Sequence, residues 1–248
     1  MSLLITGTNG MLGSCLSKTF READTISGRS ELDLTDLKKT NKWLQNKFYS
    51  VIIHSAAFTD MKFCEQNREK SEILHGKVIE ILNKYCKKLV YISTVPVWER
   101  PSYSESAYFE SKRFGELITL SDKNNFVIRT NIYGRSNLVH WAYSNLVNLK
   151  KINGFCNSYF NPVHVKQLSL SIKNILNKKT NQQIYTISGN KIISKYRFLK
   201  EVAKSLNLDS SLVLSHKLDK VQDLVLESPD EVYSFKEGME FIKDDYRN

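Results

Sequence analysis

The chain has 248 residues, a hydrophobic fraction of 41%, a charged fraction of 25% and a formal net charge of +10. That length suits one large domain or a domain with a small appended lobe, and the composition is that of an ordinary globular protein. No run approaches the ~18 to 20 apolar residues of a membrane helix, and Cys15, Cys64, Cys86 and Cys156 are too dispersed for a metal site or a disulfide framework.

The basic pairs Lys38-Lys39, Lys87-Lys88, Lys150-Lys151 and Lys178-Lys179 fall near expected helix ends or loops without interleaved aromatics. We read them as a solvated surface that helps attract an anionic small molecule, and we expect no nucleic-acid partner. The residues ahead of the first strand carry neither a basic region nor a cleavage site, so a cytoplasmic location is expected.

In chain order, Leu3–Thr6 reads as a short apolar strand. Residues 11–20 carry a helical stripe of Met11, Leu12, Cys15, Leu16 and Phe20. Residues 24–27 form a second strand, and Asp36 caps a helix through Leu37, Trp43, Leu44 and Phe48. Val51–His54 is a third strand. Residues 69–86 are expected to form one long amphipathic helix with Ile73, Leu74, Val78, Ile81, Leu82 and Tyr85 on one side. Leu89–Ile92, a helix at Ala107–Leu120 and a strand at residues 126–128 follow. Short, wholly apolar strands alternating with helices predict an α/β domain built on a doubly wound parallel sheet covered on both faces.

Beyond Arg129 the pattern changes, with helices expected at 138–149, Val165–Asn177 and 194–206, a strand at 184–187 and a last helix at 235–246. We expect residues 1–130 to form the nucleotide-binding core, with 161–180 returning to it. Residues 131–160 and 181–248 then form a smaller C-terminal α/β substrate lobe.

Gly7, Gly10 and Gly13 lie directly behind the first strand. Glycines in a strand-to-helix turn admit backbone angles closed to other residues, and the helix N-terminus offers free N–H groups and a positive dipole end to a pyrophosphate. Arg29, after the second strand, stands where an acidic residue would meet a ribose 2′-hydroxyl; a cation there suits a 2′-phosphate, which leans the cofactor to NADP(H) over NAD(H). Asp33 is a candidate for the adenine amino group or for a local turn. Small residues close the third strand at Ser55-Ala56-Ala57-Phe58.

Tyr108 and Lys112 are four apart on one expected helix and share a face. An ammonium nearby is expected to lower the phenol's pKa and ready it as a proton donor to a carbonyl. Ser93-Thr94 at the end of the fourth strand offers a hydroxyl to orient the same oxygen.

These segments, with Leu32–Asp36 and Arg129–Gly134, resemble the extended short-chain dehydrogenase/reductases, and within them the dTDP-4-dehydrorhamnose reductases. Residues 161–165 and 184–189 resemble later segments of that family. The resemblance implies a Rossmann-type core, a catalytic trio of Thr94, Tyr108 and Lys112, and dinucleotide contacts from Gly7, Asn9, Gly10, Met11, Leu12, Asp33, Leu34, Ala56, Ala57 and Phe58. It also places the nicotinamide near Ile132. The implied substrate is a nucleotide-linked 4-keto-6-deoxy sugar, touching Thr94 and Tyr108 and reduced at C4. A nucleotide-sugar epimerase, another reductase of the superfamily, and a non-catalytic dinucleotide-binding subunit stay open, as does assembly as a homodimer.

Four departures stand out. Val95-Pro96-Val97-Trp98 opens a shortened loop and lacks the Asp-Glu pair that dehydratases of the superfamily use, which argues against dehydration. Lys62 occupies a position where aspartate is common, His75 one where asparagine is usual, and residues 217–227 lack a clear Arg-Pro motif.

Overall fold

A computed structural model describes residues 2–96, 106–135 and 137–247. In chain order the elements are β1 (Leu3–Thr6), α1 (Met11–Thr19), β2 (Asp24–Ile26), α2 (Leu37–Leu44), β3 (Val51–His54), α3 (Met61–Gln66) and α4 (Arg68–Glu72). A π-helical turn (Ile73–Lys77) leads to α5 (Val78–Asn83), β4 (Leu89–Ile92), α6 (Ala107–Leu120), β5 (Phe126–Thr130), β6 (Ile132–Tyr133) and α7 (Asn137–Leu146). Then follow β7 (Ile152–Phe155), β8 (Ser158–Phe160), β9 (Val163–His164), α8 (Val165–Asn177), β10 (Ile184–Gly189), β11 (Ile193–Ser194) and α9 (Lys195–Ser205). A 3-10 turn (Ser210–Leu212), β12 (Val213–His216), β13 (Gln222–Leu224), β14 (Glu231–Tyr233) and α10 (Phe235–Arg247) complete the described chain.

The main sheet has seven strands in the order β14-β10-β5-β4-β3-β1-β2. The pairs β1–β2, β1–β3, β3–β4, β4–β5 and β10–β14 are all parallel. The order reverses around β1, which is the doubly wound signature and puts a crevice at the carboxyl ends of β1 and β3. Leu4, Ile5, Ile52, Ile53, Leu89, Val90, Val127 and Ile128 are fully buried. Each such side chain contributes about 2 kcal/mol of burial, so the sheet centre tolerates no polar face.

The chain divides into two compact units, one of Met1–Arg129 with Lys173–Tyr185 and one of Thr130–Ile172 with Thr186–Asn248. Within the second, β11, β8 and β13 form a small sheet, β12 pairs with β7 and β6 with β9. Its core gathers Tyr133, Phe160, Phe198, Phe235 and Ile242. Ser194 caps α9 by accepting from the Arg197 amide, as its sequence position predicts.

The helix expected over residues 69–86 is present from Arg68 to Asn83, without a break but with a widened turn inside it. Asn67 ends α3, and the later helix widens into a π turn at Ile73–Lys77 before α5 resumes. Close packing explains the widening. A Cβ on Gly115 would lie 2.0 Å from the His75 carbonyl oxygen, and one on Gly76 would lie 2.2 Å from the Phe114 ring. Both backbones are pressed together there, and a π turn lets the chain pass α6 at that separation.

Candidate active site

The glycine turn is built by contact with its neighbours. Gly7 has a φ of +75° and donates its amide to the Ile26 carbonyl at 2.7 Å. A Cβ there would lie 2.7 Å from the Ala56 Cα. The small residues at both strand ends are thus two sides of one contact. Gly10 caps α1 in an extended conformation with no side-chain bond, so the first-turn amides keep no intrahelical partner. A Cβ on Gly13 would sit 2.2 Å from the Gly7 carbonyl oxygen. The turn therefore forms a cradle of bare backbone in front of a helix N-terminus, which fits a dinucleotide pyrophosphate.

Two buried histidines tie down the end of β3. His54 accepts at Nδ1 from the Thr6 hydroxyl at 2.8 Å and donates from Nε2 to the Leu74 carbonyl at 2.9 Å. Burial pushes its pKa down to about 4. His75 accepts at Nε2 from the Phe58 amide at 2.9 Å, so its proton sits on Nδ1, which donates to Ser111 Oγ at 2.8 Å. Ser111 in turn donates to the Tyr108 carbonyl at 2.9 Å. Burial holds His75 far below the usual imidazole value, with the charge of Lys112 acting in the same direction.

Tyr108 and Lys112 lie on α6, one turn apart. The Tyr108 hydroxyl is hydrogen-bonded with the Thr94 hydroxyl. Lys112 is 3% exposed and donates from Nζ to the Ile92 carbonyl at 2.5 Å, with the ammonium 4.3 Å from the Tyr91 ring centroid. Burial lowers the Lys112 pKa to about 7, opposed by the charge of Glu116. Glu116 is itself buried and bonded to Arg129 at 2.8 Å.

The side chains around Tyr108 do not by themselves depress its pKa. Burial raises the Tyr108 phenol to about 12, and only the Thr94 hydrogen bond pulls it down. Lys112 directs its ammonium to the Ile92 carbonyl, which explains why it does not offset burial.

The other expected residues fall as follows. Arg29 is exposed, and its guanidinium lies 5.0 Å from the Phe58 ring centroid, at the same edge as Ala56 and Ala57. Asp33 turns its carboxylate onto the Thr35 amide and hydroxyl, at 2.9 and 2.7 Å, which is the local-turn alternative. Leu12 and Leu34 are buried, so only their backbone can face a ligand, whereas Met11 keeps partial exposure and Asn9 is exposed. Ser93 Oγ is buried without a hydrogen-bond partner among the described residues, leaving Thr94 as the hydroxyl that meets Tyr108. Ile132 stands in the second unit, paired with Val163. Residues 97–105 of the shortened loop, including Val97 and Trp98, lie outside the described residues.

Sequence reasoning missed Glu65. Its carboxylate accepts from the Ala107 amide at 2.7 Å, holding the start of α6, while Arg68 clamps it at 2.7 Å. No grouping of three His, Cys, Asp or Glu able to hold a metal occurs among the described residues. No described helix is long and apolar enough to cross a membrane.

The parallel sheet, the glycine turn at its reversal point and the tyrosine helix beside it define a Rossmann-type α/β protein. Residues 1–223 match the RmlD substrate binding domain, and the chain belongs to that family. A curated relative, the spore coat polysaccharide biosynthesis protein SpsK of Bacillus subtilis, is 24% identical over 233 residues, covering 85% of this chain and 81% of its own length. A dTDP-4-dehydrorhamnose reductase structure from Clostridium acetobutylicum superposes with a TM-score of 0.87 at 21% identity, covering all of both chains. One from Bacillus anthracis, in complex with NADP, gives 0.84 at 22% identity, covering 99% of this chain and all of that one. At such identities the structural likeness establishes the fold.

Proposed function

We propose that the protein is an NAD(P)H-dependent reductase of a nucleotide-activated 4-keto-6-deoxy sugar. The observation that carries this reading is the Thr94–Tyr108 hydroxyl pair, one helical turn from Lys112 and on the same unit as the bare-backbone cradle of Gly7, Gly10 and Gly13. Family membership supports the substrate class, and the NADP-bound relative supports a nicotinamide dinucleotide.

When bound, the dinucleotide supplies hydride. Tyr108 donates its hydroxyl proton toward the reacting oxygen, and its raised pKa keeps that proton in place at neutral pH until negative charge develops. Thr94 fixes the direction of the phenol. Lys112, close to neutral pH in its titration, holds a movable proton one turn away and a cation for the ribose hydroxyls. Arg29 stands on Phe58 as a fixed cation at the adenosine end, which favours NADP(H). The cytoplasm is the fitting location for a chain of this kind that uses such cofactors.

One observation favours a non-catalytic dinucleotide-binding role: Lys112 is already satisfied by the Ile92 carbonyl and the Tyr91 ring. A cofactor-oxidation screen over nucleotide keto-sugars separates the two. Turnover on a 4-keto-6-deoxy sugar supports the reductase; tight NADPH binding without turnover on any sugar supports the binding role.

A further inference from the structure

We propose that His75 is a positioning residue, a neutral imidazole that locks the cofactor-facing end of β3 to the helix carrying Tyr108 and Lys112. This rests on the reductase reading for the roles of those two ends, although the lock itself is a matter of hydrogen-bond geometry.

Every proton in the connection has an assigned direction. The Phe58 amide has one hydrogen, so Nε2 must accept; Nδ1 must then carry the proton, which goes to Ser111 Oγ, and the Ser111 hydrogen goes to the Tyr108 carbonyl. The chain of bonds runs from Phe58, the ring under Arg29, to the backbone of Tyr108. Protonation of Nε2 would set two N–H groups against each other and break the first link. His54 does the reciprocal task with the opposite tautomer, donating from Nε2 to Leu74, so the end of β3 is bound twice to the segment around the π turn.

The π turn gives the residue its reach. At residue 75 the carbonyl oxygen packs against Gly115 of α6 while the imidazole lies between Phe58 and Ser111. The Tyr108 ring meets the imidazole edge-on with centroids 6.0 Å apart. The remaining charged or titratable groups acting on it are Lys112 and His54. A plain packing residue would need no polar atom at a fully buried position, yet both ring nitrogens are engaged.

The test uses the full-length protein and four variants. 15N NMR of the imidazoles should find His75 as the Nδ1–H tautomer and unprotonated between about pH 6 and 8; an Nε2–H tautomer or a titration in that window overturns the lock. His75→Phe keeps a ring but cuts both bonds, and should weaken NADPH binding and lower kcat, each by about tenfold. His75→Asn, which can still accept and donate, should recover most of both losses. Ser111→Ala cuts only the helix arm and should lower kcat by about fivefold while NADPH affinity stays within about twofold. A purely structural His75 would lower the melting temperature of these variants with Kd and kcat unchanged, and that result overturns the proposal. Tyr108→Phe is the control for the reading beneath it. If its turnover matches wild type, the reductase mechanism fails, whereas the tautomer and the NADPH affinities of the His75 variants still decide the lock.

Discussion

Gly13 packs on Gly7 so closely that a single added methyl would fall 2.2 Å from a backbone carbonyl oxygen. Neither atom lies on a flexible side chain, so α1 itself would have to move away from β1. Gly13→Ala is therefore expected to lose about 1 to 3 kcal/mol of stability in urea unfolding and to weaken NADPH binding by about tenfold or more, as the helix N-terminus withdraws. Wild-type affinity in a folded variant would show that the turn does not hold the phosphates.

Arg29 is exposed, with its guanidinium over the Phe58 ring. Arg29→Ala should leave NADH binding unchanged and weaken NADPH binding by about tenfold, the worth of one charge-assisted contact to a phosphate. Titrations with both dinucleotides check this; equal loss for both would place Arg29 away from the 2′ position.

Acid should destabilise the fold in a defined window. The folded pKa of His54 is depressed from 6.5 to about 4, so its contribution is present above pH 6.5 and is lost as pH falls through 4. The amount is about 3 kcal/mol. His75 is shifted in the same direction, so both histidines act together. Urea midpoints measured between pH 7 and 4 should fall, and His54→Gln should flatten part of that slope. An unchanged slope in the variant would assign the effect elsewhere.

Glu116 and Arg129 form a largely buried pair, with side chains 3% and 18% exposed. Glu116→Ala removes the hydrogen-bonded carboxylate from a charge-assisted pair, so it should cost about 1 to 3 kcal/mol. Equilibrium unfolding measures it, and a loss below about 1 kcal/mol would mean that Arg129 reaches water in the variant.

Much of this was legible in the residues. The strands β1, β3 and β4 are dominated by apolar runs, and α6 begins and ends where its pattern does, because the sheet and its covering helices impose those patterns locally. Tyr108 and Lys112 were visible for the same reason: one helix turn joins them. The π turn was not visible, since Ile73, Leu74, Val78, Ile81 and Leu82 keep an apolar stripe that a widened turn barely disturbs. Its cause, the Gly76 and Gly115 contacts, lies on two separate elements. Glu65 escaped notice because its partner amide is 42 positions away. His75 did leave a signal, as a histidine where asparagine is usual, but its meaning needed Phe58 and Ser111 on either side. The burial of the Tyr108 phenol and the orientation of Lys112 were not visible, because both are properties of the packed site.

The most direct test compares wild type and Tyr108→Phe for NADPH oxidation with a nucleotide-linked 4-keto-6-deoxy sugar, alongside NADPH binding to each. The phenyl ring keeps the packing and removes only the hydroxyl. Turnover lower by about a hundredfold or more with NADPH affinity unchanged is expected; equal turnover by the two proteins would contradict Tyr108 as the proton donor.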